Sequence, residues 1–341
     1  MWSAYEYVKK HKKAIIATGA VLAGGTVFAY NYWNKEDENK QSIHEQWESE
    51  YNNKIDILKK KREYLLNAYS TSRAKKMQEF YPKILEALDL HYDLNVMKEK
   101  FKKAENSSKK AELFNELGRL VIGRIVSFSV TSVLMLTALE CQANVMTYEM
   151  THTSKKPIIG DQDSEAFFTQ TFLEMITVFA SSNNLENIFT KIDEITAPDI
   201  EALSLKKIFS EGEFKVLLRS LTTTVLENAF FERIDEKFVP HMKFVKQQQM
   251  ELVILFEEYV DLLEMAQKKD VVNDVSIKFV NLFAANAFKV IESGSCHYIS
   301  LMPKLEATFA DSYKKIVKAN DPYLTDEIQQ FSFDRIMHMT S

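Results

Sequence analysis

The stretch Leu120–Glu140, LVIGRIVSFSVTSVLMLTALE, is the most apolar internal run of the chain, and its reading decides the fold. A run that is apolar all round is either a membrane span or a helix enclosed by other helices. Arg124 interrupts it and leaves only 15 uncharged residues, from Ile125 to Leu139. A span needs about 20, and several Ser and Thr dilute this run further. The pattern predicts a central buried helix with the rest of the chain packed around it.

The composition fits an all-α protein. Eight Gly and six Pro in 341 residues leave few sites for the turns that many short strands need. No Pro/Gly/Ser-rich linker divides the chain, and 46% hydrophobic residues can fill one large core. A net charge of −5 argues against a general nucleic-acid binder. Cys141 and Cys296 are too few for a disulfide framework and fit a reducing compartment. The one sequon, Asn106-Ser107-Ser108, points to the other side of a membrane.

The amino terminus reads as a second apolar segment of different character. From Ala14 to Trp33 no residue is charged, and about 20 residues at 1.5 Å each match a bilayer's hydrocarbon thickness of roughly 30 Å. Lys9, Lys10, Lys12 and Lys13 mark one end; Tyr30, Tyr32 and Trp33 mark the other. A cleaved signal peptide shares the basic start, but its apolar part normally runs about 7–15 residues. The division is a basic tail over 1–13, a single-pass anchor over 14–33 and a helical body over 34–341. The positive-inside rule would keep the lysines cytoplasmic and send the body across the membrane, against the cysteine argument.

Residues 36–79 carry a narrow apolar stripe through Ile43, Trp47, Tyr51, Ile55, Leu58, Leu65 and Tyr69. Those spacings predict a long amphipathic helix leaving the membrane and packing on its own domain, although a coiled-coil partner is the alternative. Tyr81-Pro82 is expected to end it and open a second helix reaching about Lys102. Further helices are expected over 164–182, 185–193, 199–232, 236–267, 271–292, 296–318 and 324–338, with a loop over 155–167.

No chemistry of catalysis or of metal or cofactor binding is legible. The chain has no glycine-rich phosphate loop, no His-Glu-x-x-His and no Cys-x-x-Cys, and none of its seven histidines forms an i, i+4 pair. Acidic neighbours such as Glu257 and Glu258 point about 100° apart on a helix and read as a solvated face. Cys141 lies in the buried run, where it reads as a packing residue.

Recognition is the class favoured over an enzyme, which stays open as the disfavoured alternative. In Lys110–Leu117, KAELFNEL, a phenylalanine stands at the polar entrance of the buried helix. Lys110, Phe114, Leu117 and Val121 share one helical face. Lys109 and Lys110 sit in the first turn, where positive charge opposes the helix dipole by a few tenths of a kcal/mol. An aromatic beside a cation is common in hot spots for a partner's amphipathic helix. The alternative is that Phe114 packs on the helix expected at 82–102, as most helical aromatics do.

KAELFNELGRLVIGRIVSFSVTSVLMLTALECQANVM resembles the central helix of the peroxin-3 (peroxisomal biogenesis factor 3) family, in which Lys-x-Glu-Leu/Ile-Trp-x-Glu/Asp-Leu precedes an apolar run. The basic-plus-apolar segment at 8–33 and YPKILEAL (Tyr81 to Leu88) have the family's form too. The likeness is strong over roughly 1–150 and faint afterwards, where DLLEMAQKKDVVNDVSIKFVNLFAANAF and YISLMPKLEATF follow in order. It implies an α-helical cytosolic domain on a peroxisomal membrane anchor. That domain would dock the amphipathic N-terminal helix of peroxin-19, the chaperone and receptor that delivers peroxisomal membrane proteins as cargo. It also implies a cytosolic orientation for residues 34–341. The family's contacting tryptophan and lysine fall at Phe114 and Lys110; Leu117 and Val121 extend that face by helical geometry. Phe for Trp keeps an aromatic but drops the indole donor. A second family lysine falls at Ser300, three residues before Pro303, with Lys304 nearby. The non-family reading is a structural tether acting through 36–79.

Overall fold

The computed structural model describes residues 40–151, 162–232, 250–291, 294–318 and 322–338. The anchor at 14–33 and Lys9, Lys10, Lys12 and Lys13 lie outside the described residues. Those described are almost entirely helical. In chain order they form α1 (Lys40–His91), α2 (Leu94–Lys103), α3 (Ser107–Thr151), α4 (Gln162–Phe179) and α5 (Ser182–Glu201). Then come β1 (Ile208–Ser210), α6 (Glu211–Leu226), α7 (Ala229–Glu232), α8 (Met250–Lys268) and α9 (Val271–Phe288). β2 (Ser295–His297), α10 (Tyr298–Lys318) and α11 (Pro322–His338) complete the order.

α3 is the axis of the fold, flanked by α1, α5, α8, α9, α10 and α11. It is long and apolar enough to cross a membrane, yet 89% of its most apolar window is buried by the other helices. That burial identifies it as the core helix the run around Arg124 predicts. Arg124 tolerates its place by pairing with Asp89 on α1 and lying 4.0 Å from the Phe309 ring centroid on α10. A partly desolvated guanidinium over an aromatic face gains about 2 kcal/mol.

α1 runs antiparallel to α3, as three contacts show. Arg62 donates to Thr151 Oγ1, Arg73 pairs with Glu140, and the Tyr81 ring lies 6.1 Å from that of Phe128. Residues 40–60 therefore extend past the last turn of α3, where Tyr51 and Ile57 are exposed. The expected stripe is only half-buried at Ile55, Leu58 and Leu65, and the inward face instead includes Arg62, Leu66 and Arg73.

Pro82 does not end α1, contrary to the sequence reading. An interior proline costs about 3 kcal/mol. Met77, Phe80, Tyr81 and Ile84 around it are all buried in the common core, and burying side chains of this size is worth about 1.5–3 kcal/mol each. Packing prevails. The break comes at Tyr92-Asp93, where the Asp93 carboxylate accepts from the backbone N–H groups of Asn95 and Val96 and caps α2. Pro198 is likewise carried inside α5, with Thr196 and Ile200 buried on either side.

The span expected as one helix over 199–232 is divided. β1 pairs antiparallel with β2, Phe209 opposite Cys296, and Ser210 then caps α6 in a reciprocal arrangement with Glu213. Gly294, at φ +67°, makes the left-handed turn into β2 that favours glycine.

Candidate partner-binding site

The start of α3 is built by Asn106, whose side-chain oxygen accepts from the Lys109 N–H at 2.8 Å. That cap satisfies one orphan donor and places Lys109 and Lys110 in the first turn, both exposed. Neither makes an ion pair among the described residues, whereas Lys98, Lys100 and Lys102 on α2 each do.

Phe114, one turn further on, is half-buried. Its ring meets that of Phe101 on α2 edge-on, with centroids 4.8 Å apart and planes at 60°. Lys100 Nζ, 2.6 Å from Glu116 Oε1, ties the same two helices at the surface. The packing partner is thus the short α2, whose Leu94 and Met97 are sunk into the core. Phe114 and Lys110, four residues apart, share one helical face.

Leu117 and Val121 go inward, at 9% and 3% exposure. They offer a partner little surface, so the accessible part of the expected face is Lys110 and Phe114. Gly118, between them, lies against the buried Tyr298 at the start of α10, whose hydroxyl has no hydrogen-bond partner among the described residues. A Cβ at 118 would overlap that hydroxyl. This close approach seats α10 against the first turns of α3. Ser300 is exposed and Lys304 half-buried, with Lys304 Nζ 4.0 Å from Cys296 Sγ. Lys98 Nζ, 2.7 Å from Glu306 Oε1, joins α2 to α10.

Phe101 is not singled out by the sequence reading, but it lies within the 82–102 span on which the alternative reading packs Phe114, and the two rings do meet. Its signal was present: like Phe114, it is an aromatic set among lysines, in EKFKK at 99–103. α1 reaches Thr151 at the other end of α3. Phe114 is therefore about 55 Å along α3 from Thr151, at 1.5 Å per residue, at the end of α3 remote from the start of α1.

Groups able to do chemistry are not gathered here. Burial pushes the Cys141 thiol up to about 12, which keeps it a thiol. No group of three His, Cys, Asp or Glu is placed to hold a metal among the described residues. Compared with known protein families and with curated proteins, the chain matches no family model and no curated protein.

Proposed function

We propose that the chain is a non-enzymatic docking receptor of the peroxisomal membrane, receiving the amphipathic N-terminal helix of peroxin-19 at Phe114. The observation that carries this is a half-exposed aromatic, braced by Phe101 and flanked by Lys109 and Lys110, which pair with no acid among the described residues. Such a surface has the makeup of a hot spot, an aromatic anchor with cations at its rim. The resemblance of residues 110–146 to the peroxin-3 central helix supplies the partner's identity. In this reading the partner's apolar residues cover Phe114, and the lysines complement its acids, which governs on-rate and register more than affinity. Cargo membrane proteins are thereby brought to the bilayer that residues 14–33 span, with residues 34–341 in the cytosol. Saturable binding of that peptide by the full chain, weakened by Phe114→Ala, tests the docking. Protease added to intact peroxisomes tests the orientation: loss of the body supports it, and full protection contradicts it.

A second reading, a tether that self-associates through α1, draws on the exposure of Tyr51, Ile57 and Tyr64 along that helix. Sedimentation of the full chain in detergent separates the two, since only the tether requires a stable dimer.

A further inference from the structure

His91 closes the last turn of α1, and both ring nitrogens face carboxylates on α5. Nδ1 lies 2.8 Å from Glu186 Oε1 and Nε2 lies 3.2 Å from Asp193 Oδ2. Carboxylates only accept, and a neutral imidazole has a single N–H, so both bonds exist together only when the ring is protonated. The side chain is 12% exposed, and the Tyr92 and Phe189 rings flank it at 4.6 Å and 5.7 Å. A cation is also favoured at a helix C-terminus. Because the carboxylates engage opposite nitrogens, the three groups do not converge on one point as metal ligands would.

The surrounding groups are accounted for. From α5 come Glu186 and Asp193; from α1 comes Tyr92, whose hydroxyl donates to Asp193 Oδ1 at 2.8 Å. α3 presents the Ser127 hydroxyl, 2.7 Å from the Tyr92 oxygen, and the bare backbone of Gly123 beside Asp193. Asp89, on the same helix as His91, is engaged by Arg124. His91 is therefore the one cation of the cluster among the described residues, and it joins α1 to α5.

The chain then leads from His91 through Tyr92 into Asp93, the cap of α2. α2 carries Phe101, the wall on which Phe114 rests. We infer that the His91 clasp is a proton-operated latch on the α1–α2 corner, through which rising pH loosens α2 and weakens docking at Phe114. This rests on the docking reading above.

Burial draws the His91 pKa down, but the hydrogen bonds to Asp193 and Glu186 outweigh it and hold the value above the ordinary one. A raised folded value means that the clasp's stabilisation is complete below the unfolded value of about 6.5. It is lost as pH climbs through the folded value.

Hydrogen exchange of the full chain in detergent micelles, at ~pH 6 and ~pH 8.5 and corrected for the intrinsic rate, tests the latch. Amides of 92–103 are expected to lose about tenfold in protection at the higher pH, the effect of one charge-assisted hydrogen bond. His91→Gln is expected to be loose at both pH values, and His91→Lys, which keeps its charge, to change little between them. Affinity for the peroxin-19 peptide should fall over the same range in wild type only. Unchanged protection in wild type, or an equal loss in His91→Gln, would overturn the latch. Altered protection with unaltered affinity would sever it from the site. If no peptide binds at either pH while the protection step remains, the docking reading fails and the latch stands.

Discussion

Phe101 and Phe114 sit edge-to-face, with ring centroids 4.8 Å apart, across the junction of α2 and α3. Each ring comes from a lysine-rich helix end, and each is only half-buried. Two aromatics so placed give Phe114 a fixed orientation while leaving part of its surface open, and a preorganised anchor loses less entropy on docking.

Phe101→Ala should therefore weaken docking by about 0.5–1.5 kcal/mol, the worth of an aromatic pair. That is less than the loss from Phe114→Ala itself. Paired titrations of the two variants measure this; a larger effect at 101 would make Phe101 the anchor.

Lys109 and Lys110, exposed and without an ion pair among the described residues, should act on the rate of encounter. Reversing both to Glu is expected to slow association about tenfold at low salt, an effect that fades as salt is added. Stopped-flow association rates give the answer. A change confined to dissociation would place these lysines inside the contact.

Gly118 permits the seating of α10. Gly118→Ala should destabilise the fold by about 1–3 kcal/mol, as overpacking does, because the added methyl meets the buried Tyr298. Tyr298→Phe alone removes a buried hydroxyl without a partner among the described residues and should stabilise by about 1 kcal/mol. Combined with Gly118→Ala, it should recover part of the loss. Urea unfolding checks all three variants, and a neutral Gly118→Ala would contradict the close approach.

Arg73 and Glu140 form an ion pair whose side chains are 7% and 2% exposed. Burial lowers the Arg73 pKa to about 10, so the guanidinium stays charged at neutral pH. Arg73→Met should cost about 3–5 kcal/mol by stranding the Glu140 carboxylate. Replacing both residues, as Arg73→Met with Glu140→Leu, should return most of it. Thermal or urea unfolding decides; a single variant as stable as wild type would mean that the pair contributes nothing.

How much of this was legible in the sequence follows from the range of the interactions. The Leu120–Glu140 run declared its own burial, because an all-round apolar helix broken by one arginine needs no knowledge of its neighbours. The entrance at KAELFNEL was also readable, since caps and first-turn charges act within four residues. Pro82 and Pro198 misled because local rules end a helix at proline, while the buried residues around Pro82 that carry α1 through it pack against distant elements such as Phe128. Arg73 reads as a solvated charge until Glu140, 67 positions away, is placed beside it. β1 and β2, at three residues each, are too short for alternation to show. Of the proposed site, Lys110 is exposed and Phe114 half-buried. Leu117 and Val121 turn inward into the common core, whose members come from distant parts of the chain.

The central claim is that Phe114 serves a partner. A titration of the full chain in detergent micelles with a fluorescent peptide from the peroxin-19 N-terminal helix tests it most directly. It is run beside Phe114→Ala, with circular dichroism confirming that both are folded. The account predicts saturable binding that weakens by about 2 kcal/mol or more, roughly 30-fold, in the variant. Equal affinity in the two folded proteins, or no binding by either, would contradict it and leave Phe114 a packing residue of the α2–α3 junction.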